Sequence, residues 1–427
     1  MQRILWGLLL AFVWPLSVAL ELPRASAPQK TTPARTTPAV AASKDPRRRR
    51  QLLVDLPLHT AGAALLGIGT LDIPSLPAAA ATPSFSSSSS FIRLPRSRDV
   101  DLPRVGYSLY KTKPEQVAEG VGLALQAGVR HFDCASQYQS NAQVGNVLRR
   151  YIQTGQVETR NGLTIDDTAA TKQQRQAEIF VTHKVSNSEQ SLSTQQLQRN
   201  VLQQTKLLGL DGIKNGKQST KPPLDLVMLH SPLTDRNRRI SSYGALCDLQ
   251  DRGKIGAVGV CHFGVTPLQE LVEAGLPPPS VIQLELSPFH QHLEIAEWAQ
   301  THNCVLSCSA WSRLSSTSGP TQGWDTLSQK VAAPRQMTKQ QVLIRWAVQK
   351  GYLCVPRSSS QFKVERQAIQ ENSWDATKDL VLTEQDVALL DGLDERITAG
   401  QLGVVDGWEM QDVDATNPNA WDPTTCV

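Results

Sequence analysis

The chain has 427 residues, 40% of them hydrophobic and 19% charged, with a formal net charge of +4, a composition that can bury a sizeable core and excludes disorder throughout. Length alone allows two or three domains, or one α/β barrel of about 250 to over 400 residues. Charge is laid out unevenly: residues 1–100 hold 12 of the 43 Lys and Arg and 5 of the 39 Asp and Glu, a net of +7, which leaves −3 for the rest, so the basic surplus is no footprint of a nucleic-acid partner.

Residues 1–20 read MQRILWGLLLAFVWPLSVAL, a short cationic start, an apolar run and small residues near Ala19. This is the grammar of a signal peptide; a membrane anchor is the alternative, since the run is close to the shortest spanning length. Further on, Arg49 and Arg50 precede a weakly apolar stretch at 61–71, closed by Pro77 and the alanines Ala78 to Ala81. The 47–81 segment resembles a twin-arginine export signal, and the Thr-, Pro-, Ala- and Arg-rich segment before it resembles a plastid transit peptide. Together they resemble the stacked leader of an algal plastid protein bound for the thylakoid lumen. The alternatives are a secretory leader, or a charge run in a disordered one. Ser84 to Ser90 reads as low-complexity linker. The expected organisation is therefore a targeting leader and linker over 1–98 and a single folded body over 99–427, with no stable membrane association once the leader is removed.

In the body, short apolar runs alternate with helical patterns. A helix at 114–127, stopped by Gly128, leads into a strand at 129–133. Strands follow at 178–184, 224–230, 257–261, 281–285, 305–310 and 353–356, with helices at 194–208, 243–252 and 338–350. An eighth strand near 102–108, or one hidden between the others, would close a ring. Regular strand–helix alternation argues a parallel sheet with helices outside. No GxGxxG follows an early strand, which argues against a doubly wound dinucleotide fold. The expected fold is a (β/α)8 TIM barrel behind an N-terminal leader, with its chemistry at the carboxyl ends of the strands. The stretches 154–176 and 212–223 lengthen two connections and read as surface decoration. The seven cysteines are odd in number and irregular in spacing, with no CxxC pair. They read as core residues rather than zinc ligands, with a Cys304–Cys308 contact left open.

The strand ends carry Asp133 and Tyr138, then Lys184, then His230. Singly, each has an ordinary reading: a turn aspartate, a rim tyrosine, a solvated lysine, a structural histidine. In succession at neighbouring strand ends they point to one site. The stretch Gly128-Val-Arg-His-Phe-Asp133-Cys-Ala-Ser-Gln-Tyr138 resembles the aspartate–tyrosine motif of the aldo-keto reductases. Ile179-Phe-Val-Thr-His-Lys184, Asp225-Leu-Val-Met-Leu-His230-Ser-Pro232, Gly253 to Gly259, Gln283 to Pro288, Ala310-Trp311-Ser312, Arg345-Trp346-Ala347 and Val355-Pro-Arg-Ser358 resemble its later motifs in the right order, over about 100–400.

The chemistry of these residue types agrees with the resemblance. Carbonyl reduction by hydride needs a proton donor at oxygen, and a tyrosine near ~10 is a poor acid at neutral pH unless a cation favours its phenolate. Lys184 is placed to supply that cation, Asp133 to hold it, and His230 to orient the substrate oxygen.

The resemblance implies NADPH as cofactor, with Arg357, Ser358 and Lys363 around the adenosine 2′-phosphate, a role suited to two cations flanking a hydroxyl. Gln367 stands where the family usually has asparagine, and Arg357 where it usually has lysine. Gln283 matches the residue bonded to the nicotinamide carboxamide, and Trp311 the aromatic stacked on the ring. Two departures stand out. Cys261 and His262 replace the usual serine and asparagine at the carboxamide, and Asn141 replaces a glutamate three residues after Tyr138. Tyr110, the 233–241 and 312–322 stretches, and a tail with Trp408 and Trp421 are candidates for selecting the substrate.

The expected function is NADPH-dependent reduction of a small aldehyde or ketone by a monomer without a metal. The alternative is a nucleotide-binding regulatory barrel with little turnover, motivated by Cys261 and His262. NAD-linked alcohol oxidation is disfavoured by Arg357 and Lys363.

Overall fold

A computed structural model of the chain describes residues 89–97, 100–158, 164–208, 222, 224–233, 235–309, 311, 321–358 and 363–394. The leader motifs, most of the 212–223 stretch and the tryptophan-bearing tail lie outside them. The described residues belong to one of the chain's two compact units, Ser75–Val427.

Eight parallel strands form one sheet in chain order: β1 (Tyr107–Ser108), β2 (His131–Ala135), β3 (Phe180–Val185), β4 (Leu224–Leu229), β5 (Ile255–Cys261), β6 (Val281–Leu284), β7 (Val305–Cys308) and β8 (Leu353–Cys354). Each is followed by a helix: α1 (Pro114–Gln126), α2 (Asn141–Thr154), α3 (Thr194–Leu207), α4 (Arg236–Asp251), α5 (Val265–Glu273), α6 (Leu293–Thr301), α7 (Lys339–Gln349) and α8 (Lys363–Glu371). The sheet curls until its outer strands meet. Gly106 N–H donates to Cys354 O at 2.9 Å, Cys354 N–H to Arg104 O at 2.9 Å and Ser108 N–H to Pro356 O at 3.1 Å.

Local chemistry explains the element boundaries. Gly128 ends α1 at φ 79°, where a Cβ would also meet the Asp375 carboxylate at 2.7 Å. Thr338 and Ser193 cap α7 and α3 by accepting from Gln341 N–H and Gln196 N–H. The 154–176 insertion folds into an antiparallel hairpin, Gln156–Glu158 with Thr164–Asp166, and helix Lys172–Glu178. The linker as read from sequence runs to residue 98, yet within it Phe91–Arg93 pairs antiparallel with Asp101–Pro103.

Side chains alternate across each strand, and this divides the core in two. Outward residues such as Val181, Val185, Val227, Val258, Ile282 and Cys308 pack with the helices. Inward residues Phe180, Leu226, Met228, Ala257, Cys261, Val281 and Leu353 pack with Ile92, Leu94, Val100 and Leu102. The hairpin thus covers the strand starts, and the polar residues two or four positions further along collect at the carboxyl ends. No helix among the described residues is long and apolar enough to cross a membrane.

Candidate active site

The period of two places Asp133 on β2, Lys184 on β3 and Gln283 on β6 on the inward face, and His230 one residue past β4 on the same side. Lys184 is 2% exposed and its ammonium donates to Asp133 Oδ2 at 2.5 Å. Ser108 Oγ donates to the same oxygen at 3.3 Å. From the other side Lys184 Nζ donates to Tyr138 Oη at 3.3 Å. Tyr138 sits on the short 3-10 turn Ser136–Tyr138 that leaves β2, and Gln139 ends that turn in the left-handed region at φ 53°. His230 meets the Tyr138 ring edge-on, centroids 6.0 Å apart, and Tyr110 leans on its other flank at 5.8 Å. The four residues read as catalytic from sequence, with Tyr110, are therefore neighbours.

Their electrostatics follow from burial and from each other. Burial works against the Lys184 ammonium, but the Asp133 carboxylate and the neighbouring phenol outweigh it and hold the group above the ordinary lysine value. Burial pushes Tyr138 above the usual phenol range, and the Lys184 charge pulls it partway back. The lysine acts in the direction expected from sequence, yet burial is larger and the phenol stays protonated at neutral pH. Burial, then the charges of Lys184 and His262, keep His230 well below the usual imidazole value, so its ring is neutral. His230 Nδ1 and Asp133 Oδ1 are buried and have no protein partner.

At the ends of β5 and β6, His262 takes φ 59° and donates its N–H to Gln283 O at 2.9 Å. Its ring lies nearly parallel to that of His230, centroids 6.4 Å apart. Cys261 is fully buried with Sγ 3.9 Å from Gln283 Oε1, and burial pushes its thiol up to about 12. Trp311 is buried, with its indole N–H fixed on Leu286 O at 2.8 Å. Arg357 donates from Nε to Tyr110 O at 2.9 Å and from Nη2 to Lys111 O at 3.4 Å. Ser358 O accepts from the buried Tyr107 hydroxyl at 2.8 Å. Lys363 opens α8, and its side chain lies outside the described residues. Gln367 is exposed and donates to Glu371 Oε1 on its own helix at 2.5 Å.

Several supporting residues escaped the sequence reading. Arg239, 1% exposed, donates to Pro232 O and Leu233 O at 2.7 Å each and pairs with Glu270. It therefore pins the loop after His230, where Leu233 has φ 56°. Ser231 Oγ donates to Asn187 Oδ1 at 2.6 Å, tying that loop to the one after β3. An arginine inside the polar run Arg236-Asn-Arg-Arg239 carries no local sign of this role.

The aldo/keto reductase family model matches residues 105–395. A putative methylglyoxal reductase of Salmonella typhi is 27% identical over 62% of this chain and 82% of its own. Among solved structures, an aldo/keto reductase of Brucella melitensis superposes with a TM-score of 0.56 at 22% identity, over 71% of this chain and 99% of that one. A Bombyx mori aldo-keto reductase in complex with NADP gives 0.56 at 22%, over 71% of this chain and 92% of that one. At these identities the two structures speak to the fold.

Proposed function

The chain belongs to the aldo/keto reductase family, a family of oxidoreductases, and from that premise we propose that it is an NADPH-dependent reductase of small aldehydes or ketones, built on a closed (β/α)8 barrel. The observation that carries this is the hydrogen-bonded line Asp133–Lys184–Tyr138 with His230 edge-on to the phenol.

NADPH, when bound, supplies the hydride. The residues present suit it: His230 Nδ1 and Asp133 Oδ1 are buried without protein partners, Trp311 offers a fixed indole, and Gln283 and His262 lie on adjoining strand ends. Tyr138 gives its proton to the carbonyl oxygen. Lys184 then stabilises the phenolate left behind, which is the moment its charge is worth most. Asp133 keeps the ammonium charged and aimed. The neutral His230 imidazole donates to the same oxygen and orients the carbonyl.

The reading is tested by mixing NADPH-bound protein with a panel of small aldehydes in stopped flow. Loss of NADPH absorbance at a rate that saturates with aldehyde is expected. A protein that binds NADPH and never oxidises it would instead support a regulatory barrel, which the weakly donating Cys261 thiol beside Gln283 favours.

Arg357 links the two ends of the site. Two of its nitrogens hold the Tyr110–Lys111 turn, leaving Nη1 for a 2′-phosphate. Arg357→Ala should weaken NADPH binding by about tenfold or more, the range of a lost charge-assisted hydrogen bond, without weakening NADH binding. It should also raise the aldehyde KM, because Tyr110 loses its anchor. Fluorescence titration with both nucleotides and steady-state KM check this; an unchanged aldehyde KM would show that the anchor does not matter.

A further inference from the structure

Tyr138 stands on a three-residue turn rather than on a strand, so something must hold that turn. In front, Lys184 Nζ reaches the phenol at 3.3 Å. Behind it lies His183, the preceding residue on β3, which the strand alternation sends to the opposite face of the sheet. His183 is fully buried. Its Nε2 is 3.2 Å from Ser136 Oγ, in the first residue of the turn. Its Nδ1 is 3.4 Å from Asn141 Nδ2, in the first residue of α2. That amide also donates to Gln204 Oε1 on α3 at 2.8 Å.

One imidazole thus spans both ends of the 136–141 segment, with Tyr138 and the left-handed Gln139 between them. The amide donates to Nδ1, so Nε2 carries the hydrogen and donates to the serine hydroxyl. Burial holds His183 down to about 4, which keeps this arrangement neutral at working pH. The groups that face it across the packing are the Glu189 carboxylate, Lys184 and Asp133. Asn141, one of the two departures noted in the sequence, has its partner here: a neutral amide against a neutral ring.

We propose that His183 is a positioning residue that, through Ser136 and Asn141, holds the turn carrying Tyr138 at hydrogen-bonding distance from Lys184. The inference rests on Tyr138 being the proton donor. Two adjacent residues of β3 then do complementary work, Lys184 on the hydroxyl and His183 on the backbone that presents it, so the relative placement of phenol and ammonium is set by one rigid strand.

The test compares His183→Leu, His183→Gln and Ser136→Ala with wild type, using NADPH and one aldehyde. His183→Leu should lower kcat by about tenfold to a hundredfold, the scale expected for a displaced catalytic group, with the NADPH Kd within about twofold of wild type. His183→Gln, whose amide can still reach Ser136, should recover several-fold of that loss. Ser136→Ala removes one half-buried hydroxyl and should leave the melting temperature unchanged while lowering kcat about threefold. The double variant His183→Leu/Ser136→Ala should be no slower than His183→Leu, since both break one contact. If His183→Leu fails to fold, the Ser136→Ala and His183→Gln results decide. Wild-type kcat in Ser136→Ala, no recovery in His183→Gln, or additive losses in the double variant would overturn the proposal. If wild-type protein oxidises NADPH and only these variants behave otherwise than expected, the positioning role fails and the reductase reading stands. If wild-type protein oxidises no NADPH with any aldehyde, the reductase reading itself fails.

Discussion

Tyr138→Phe should lower kcat for aldehyde reduction by about 10²- to 10⁴-fold, the usual worth of a positioned general acid, and should leave the NADPH Kd within about twofold of wild type. The phenylalanine keeps the ring that His230 and Tyr110 pack against and removes only the hydroxyl that Lys184 contacts. Burial keeps the wild-type phenol protonated at neutral pH. The group to be lost is thus a phenol that still carries the proton the proposed reduction would use, and the proposed NADPH contacts do not include it. Steady-state kinetics and nucleotide fluorescence separate the two quantities. Near-normal turnover in the variant would rule out Tyr138 as the acid.

Lys184→Met should damage both chemistry and stability. Asp133 is 1% exposed, and without the ammonium its carboxylate keeps only the Ser108 hydroxyl. Breaking a buried pair from one side costs about 3–5 kcal/mol. Turnover should fall at least as far as in Tyr138→Phe, because the phenolate also loses its cation. The pH dependence has a definite sign. In wild type the Lys184 group is held above its unfolded value, so its contribution is complete below the ordinary lysine range and is lost only as pH rises through the folded value. The deficit against wild type should therefore be undiminished from about pH 5 to about pH 9, where the wild-type ammonium stays charged. Chemical denaturation at several pH values measures this, and a deficit that closes within that range would mean that the charge of the ammonium is not what the variant loses. Lys184→Met combined with Asp133→Leu should recover part of the stability and none of the activity.

Much of this molecule was legible in its sequence because the signals are local and periodic. All seven strand candidates contain or overlap observed strands, and the eighth lies within the stretch proposed to close the sheet. The residues ending those runs, Asp133, Lys184 and His230, lie together because strand alternation and parallel order leave them no other side. What was not legible depends on contacts between distant elements. α4 begins at Arg236, well before the expected 243, because Asp235 caps it and Arg239 is consumed by buried carbonyls rather than by solvent. Within the 154–176 insertion, the hairpin is held by ladder partners that no single stretch reveals. Ser108 on Asp133 and Ser136 on His183 are bonds of ordinary residues whose importance exists only once β1, β2 and β3 are side by side. The bond from Gln367 to Glu371 along α8 is likewise made only once that helix has formed.

The seam where Gly106 and Ser108 meet Cys354 and Pro356 also sets the order in which the protein can become a protein. Its two halves come from opposite ends of the described sheet, so the contact is among the most remote in sequence, and remote contacts form late and slowly. A growing chain that has not yet delivered Leu353–Cys354 carries two bare strand edges, the arrangement that recruits other chains. The interval between making β7 and docking β8 is therefore the window in which this chain is most exposed to aggregation, and the window a chaperone would have to cover.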